Sequence, residues 1–153
     1  IYMEKKDTIE IGEWWTAPAE SEDGRLIMVT GRTDIARFRN NPRFAIRIEI
    51  SLPYESRNDG MPASDSTALL LGDITDAFQR VLRADPVAVL TGIFTGAGER
   101  NWVFYTLSTH IFQKKLNEAL ASFELLPLSI TAENDPAWEA YDEMDQARVT
   151  ADD

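Results

Sequence analysis

Cysteine is absent from the sequence, which excludes disulfide scaffolds, thiolate metal sites and cysteine nucleophiles and leaves the redox compartment open. Histidine is nearly absent, since His110 stands alone. One imidazole without thiols is too little for an ordinary zinc site, so neither a metal nor an organic cofactor is expected. A serine triad would have to use this histidine, and no Gly-x-Ser-x-Gly elbow accompanies it, so no catalytic residue is assigned. Long apolar runs are missing too. Nothing approaches the roughly 18 to 20 residues that cross a bilayer, and Ile1–Lys6 lacks a secretory apolar core, so a cytoplasmic chain that avoids membranes is expected.

Positive charge is the other shortage: 15 Lys and Arg face 26 Asp and Glu, for a formal net charge of −11. Nucleic-acid binders draw affinity from cations that displace counterions from phosphates, so RNA is disfavoured as a partner. The charge is unevenly spread. Between Gly24 and Ile48 lie Arg25, Arg32, Arg37, Arg39, Arg43 and Arg47 against Asp34 alone, whereas eight acids from Glu133 onward oppose only Arg148. Either the two ends face each other or solvate the surface, or the arginine segment forms an anion or acidic-partner site.

What is present is material for a core. The 153 residues are 44% hydrophobic and 10% aromatic, which suits one globular domain spanning 1–153. Trp14–Pro18 and Leu26–Thr30 flank a polar stretch ending in Asp23-Gly24 and predict a β-hairpin over about 12–32. In Phe44–Leu52 every second residue is large and apolar, the period of a strand with one buried face. Asn58-Asp59-Gly60-Met61-Pro62 then breaks the chain into a loop. From Ser66 to Arg83, apolar residues recur at three and four and predict a helix that Asp85-Pro86 stops. Val87–Thr95 and Trp102–Leu107 are β-rich runs joined by Gly96-Ala97-Gly98-Glu99, followed by a helix bearing Phe112, Leu116, Ala119, Leu120 and Phe123 on one stripe. Leu125–Thr131 predicts another strand. Asn134-Asp135-Pro136 predicts the start of a short acidic helix over about 136–147, with Pro136 in its first turn.

The order within about 43–131 is strand, helix, strand, strand, helix, strand. It predicts an α+β fold: a ferredoxin-like βαββαβ antiparallel sheet with two helices on one face, to which the hairpin and the C-terminal helix are added. If Phe44, Ile46, Ile48, Ile50 and Leu52 face the helices, Arg43, Arg47 and Glu49 face away. On the partner strand, Val103, Tyr105 and Leu107 are expected on the helix side, leaving Trp102 and Phe104 opposite. Arg43, Arg47, Arg100, Trp102 and Phe104 are therefore the candidate binding residues. The N-terminal hairpin, the acidic C-terminal helix, a second copy or a partner would cover them.

Trp14-Trp15, Asn58–Pro62, Thr91-Gly92 followed by Gly98-Glu99-Arg100-Asn101-Trp102-Val103-Phe104-Tyr105, and Asp135-Pro136-Ala137-Trp138-Glu139-Ala140-Tyr141 together resemble a bacterial family catalogued as domain of unknown function 695. The last segment matches that family's Asp-Pro-x-Trp-x-x-Tyr ending. After Tyr141 the chain departs from it, an acidic tail standing in for a more apolar end. The resemblance implies a compact α+β domain and kinship with bacterial regulators that inhibit ribonuclease E by binding it, and it transfers no catalytic residue.

Other motifs read structurally. Gly92, Gly96 and Gly98 lack the Lys-Ser/Thr pair and following helix of a phosphate loop and are taken as turn glycines. Glu139, Asp142, Glu143 and Asp145 read as a solvated helix face, with no metal site assigned. Arg100–Leu107 superficially resembles the base-stacking strand of RNA-recognition motifs, but Asn101 replaces the required glycine and Ala45, Arg47 and Glu49 supply no second ring. The leading expectation is a non-catalytic, protein-binding regulator or adaptor, whose partner is another protein or a second copy of the chain. An RNA-binding module and an uncharacterised enzyme are the alternatives.

Overall fold

The computed structural model describes residues 9–11 and 13–150, with side chains from 13 to 148. The opening segment Ile1–Lys6 and the last residues of the acidic tail lie outside them. The elements in chain order are β1 (Ile9–Ile11), β2 (Trp14–Glu20), β3 (Leu26–Arg32), α1 (Ala36–Arg39), β4 (Ile46–Pro53), α2 (Asp65–Ala84), β5 (Ala88–Gly96), β6 (Glu99–Thr106), α3 (Thr109–Leu120), β7 (Ser129–Asn134) and α4 (Glu139–Thr150). The chain is a mixed α and β fold around an antiparallel sheet.

Among the described residues that sheet has seven strands in the order β1-β2-β3-β5-β6-β4-β7, three more than the expected four-stranded ferredoxin-like sheet, with the extra strands continuing it beyond β5. The N-terminal hairpin is not an appendage. Its strand β3 pairs with β5 from Ile27 opposite Gly96 to Gly31 opposite Gly92, so the hydrogen-bonded ladder continues from β5 into the hairpin.

Local chemistry accounts for the element ends. Ser64 Oγ accepts from the Thr67 amide at 3.2 Å at the start of α2, and Ser108 Oγ accepts from the Ile111 amide at 3.4 Å at the start of α3. The β5–β6 turn places Ala97 at φ 54 and Gly98 at φ 81, the two positive values of a tight hairpin that follows strand twist. Onto this turn folds the Asn58–Pro62 loop. The Gly60 carbonyl accepts from the Gly98 amide at 3.0 Å and from the Tyr54 hydroxyl at 2.7 Å. At φ 85, Gly60 lies so close to the Ala97 backbone that a Cβ would collide with it. This breaker motif is thus the seat of a hairpin tip.

Both sheet faces are buried, one on each side. Beneath α2 and α3 lie Ile48, Ile50 and Leu52 of β4, Leu90 and Ile93 of β5, and Trp102 and Phe104 of β6. On the other face α1 and α4 cover Trp15, Val29, Val89, Val103 and Tyr105. The expected orientation of β6 is therefore reversed. Ile50 lies opposite Trp102 and Ile48 opposite Phe104, and directly opposed residues share a face, so the rings follow the isoleucines to the helices. On β5 the alternation slips at Thr91, an extra residue between Leu90 and Gly92, which is why Leu90 and Ile93 point the same way.

Smaller corrections follow from the same packing. Phe44 precedes β4 and stacks edge-on against Phe38 at 5.2 Å on the α4 side, so it does not share the face of Ile48. The last strand begins at Ser129, four residues after the fully exposed Leu125. Pro136 lies in a turn before α4, and the cap is Asp135, which accepts from the amides of Glu139 and Ala140 at 2.9 and 3.0 Å.

Candidate functional site

The five residues expected to form one binding face are split between two. Trp102 and Phe104 have no exposed surface. The Trp102 indole donates to Thr75 Oγ1 of α2 at 2.8 Å and meets Phe78 edge-on at 5.5 Å, while Phe104 contacts Phe78 and Phe112 at 5.3 and 4.9 Å. These rings are core, which removes the base-stacking platform that RNA recognition through the sheet would need. Arg100 lies on their side, partly buried, its Nε donating to Thr95 Oγ1 at 2.9 Å. Burial lowers its pKa from the ordinary arginine value. Arg47 lies on the opposite face, its Nη1 at 3.1 Å from Glu49 and 3.4 Å from Glu133. Arg43 is exposed before β4.

The face that holds Arg47 is closed by the C-terminal segment. Trp138 stacks on Tyr105 with centroids 4.0 Å apart and planes at 14°, and its indole donates to the Phe44 carbonyl at 2.8 Å. The Tyr105 hydroxyl donates to Asp135 Oδ2 at 2.7 Å. Burial and then this carboxylate push Tyr105 well above its ordinary pKa, so it stays a donor. For Asp135 burial alone would raise the carboxyl, but hydrogen bonds from Tyr105, Ala140 and Glu139 outweigh it and hold it below its ordinary value. Asp142 takes both ends of the Arg39 guanidinium at 2.7 Å, so an arginine of the basic segment meets an acid of the tail. The Asp-Pro-x-Trp-x-x-Tyr pattern is a docking device, in which the Tyr141 hydroxyl also donates to the Arg32 carbonyl. His110 is exposed in the first turn of α3, and among the described residues no His, Asp and Glu side chains cluster in threes as a metal site requires.

Besides an open groove of about 360 Å³ between Arg47, Glu133 and α4, two further surface features are present among the described residues. The first is the β7 edge. All six of its residues are exposed, among the described residues it pairs only with β4, and its Ile130 and Ala132 border an apolar groove of about 230 Å³ walled by Phe112 and Leu116 of α3. The second is a polar cleft of about 260 Å³ between α1, the end of α2 and the starts of β2 and β5, which Arg32, Arg37 and Arg83 line. Neither was read from the sequence. Arg37 belonged to the basic stretch noticed there, but Arg83 lies far from it in the chain. The edge character of β7 depends on which strands pair.

A family model described as a family of unknown function (DUF695) matches residues 13–144. Neither a curated protein nor a solved structure matches the chain.

Proposed function

We propose that this chain, which belongs to that family of unknown function, is a non-catalytic protein-binding regulator or adaptor that takes an extended segment of its partner onto β7. In this reading β4–α2–β5–β6–α3–β7 is a ferredoxin-like unit whose outer strand carries the interaction. The carrying observation is that helices pack on both sheet faces, whereas among the described residues the outer side of the six-residue β7 has no paired strand and lies beside an apolar groove.

An added strand satisfies the outward backbone groups of β7, and its alternate side chains enter the groove beside Ile130 and Ala132. Its other side chains lie on the face of Thr131 and Glu133, and Glu133 is 63% exposed. The partner segment is therefore extended, apolar at every second position and basic between. The test is amide hydrogen exchange with a peptide of alternating valine and lysine. Amides of 129–134 should slow with the peptide and not with a block peptide of the same composition, and Ile130→Asp should abolish the effect. Protection elsewhere alone, or protection that survives in Ile130→Asp, refutes the reading.

A further inference from the structure

The cleft at the far end of the molecule has the opposite electrical character to the protein as a whole. Arg32 of β3, Arg37 of α1 and Arg83 of α2 line it together with the carboxylates of Glu13 and Asp34, an excess of one positive charge in a chain of net charge −11. Two nearby acids are already paired. Asp34 is held by Arg32 through contacts of 2.5 and 3.1 Å, and Asp85, two residues beyond Arg83, is held by Lys115 at 3.0 Å. Among the described residues Arg37 and Arg83 have no ion-pair partner, and Arg37 lies over the Phe38 ring at 4.6 Å. Gln79 adds an amide to the lining, and the half-buried Trp14 adds aromatic surface.

We propose that this cleft binds the phosphoryl group of a small phosphomonoester whose organic body rests on Trp14. Two guanidinium forks that reach the cleft from separate helices suit a tetrahedral dianion, which accepts from several directions, better than a planar carboxylate, which a single fork saturates. The size of the cleft limits the body to about one ring, and the aromatic lining gives that ring a surface. Bringing the dianion in neutralises the two unpaired arginines, while Glu13 at the cleft repels a second charged group and restricts the ligand to one phosphoryl end.

Phenyl phosphate is the probe, followed by tryptophan fluorescence of the full chain, because Trp14 lines the cleft. Saturable quenching below about 10 mM is expected, and neutral phenol at the same concentrations should give none. Replacing both exposed arginines, in Arg37→Ala/Arg83→Ala, should weaken binding by about 100-fold or more, since each charged hydrogen bond contributes about tenfold or more. Arg25→Ala, in the β2–β3 turn, should bind as the parent does. The melting temperature of the double variant should match the parent, so loss of binding is not loss of fold. Absence of saturation in the parent, equal quenching by phenol, or unchanged affinity in the folded double variant overturns the proposal.

Discussion

Trp138→Ala isolates the attachment of α4 to the sheet. The ring is 1% exposed, stacks on Tyr105 and donates to the Phe44 carbonyl. Truncating a buried tryptophan costs about 3 to 5 kcal/mol through lost burial and the cavity left behind. The upper part of that range applies here, because the lost stack and the unpaired carbonyl add to the cavity. Against a total stability of about 5 to 15 kcal/mol for an ordinary domain, that is a large share. Urea denaturation measures it as a lower midpoint at unchanged slope. Two companions separate the terms. Trp138→Phe keeps a ring on Tyr105 and loses the N–H donor, so about 1 to 3 kcal/mol is expected. Trp138→Gly removes the ring as well but suits the positive φ of 57, and should be about 1 kcal/mol less damaging than alanine. A loss below about 1 kcal/mol for Trp138→Ala would show that α4 is not anchored by this ring and would refute the docking argument.

Gly92→Ala should destabilise by about 1 to 3 kcal/mol, because a Cβ there meets the Met144 sulfur; combining it with Met144→Ala should cost less than the two single losses added, and strict additivity in a double-mutant cycle would contradict that contact. Acid should weaken the Asp135 cap. Its folded pKa is depressed, so its stabilisation is complete above the unfolded value of about 3.9 and disappears as pH falls through the folded value. Asp135→Asn should therefore lose less stability than the parent between about pH 5 and pH 2, and parallel pH curves would show that the carboxylate does not contribute in this way.

Sequence periodicity was most informative where one alternating set is polar. Along β4, Ile48, Ile50 and Leu52 alternate with Arg47, Glu49 and Ser51, and the structure puts the first set under the helices. Both long helices were legible from the three- and four-residue spacing of buried residues such as Ile74, Ala77, Phe78 and Leu82, although at the start of α2 it is Leu71 and not Leu70 that is buried, and their serine caps stand directly before them. The arginine stretch was visible as charge, but its members disperse: Arg39 goes to Asp142, Arg47 to Glu49 and Glu133, and only Arg32 and Arg37 reach the cleft. Sequence distance hid Arg83 from that group. Of the binding residues first considered, Arg47 was placed on the right face and Trp102 and Phe104 on the wrong one.

By itself the sequence determined the mixed α and β class, the hairpins, the two long helices, the acidic surface and the absence of thiol chemistry, because each follows from composition or from contacts within a few residues. Only the tertiary structure decided how β6 turns. Both its alternating sets, Trp102 with Phe104 and Val103 with Tyr105, are apolar, so period two marks a strand without marking a face. The register against β4 makes that choice, and the bulge at Thr91 carries it across β5. With β6 turned that way, Tyr105 faces Asp135 and Trp138, so the acidic C-terminal helix packs on one sheet face, and among the described residues β7 is left as an exposed edge.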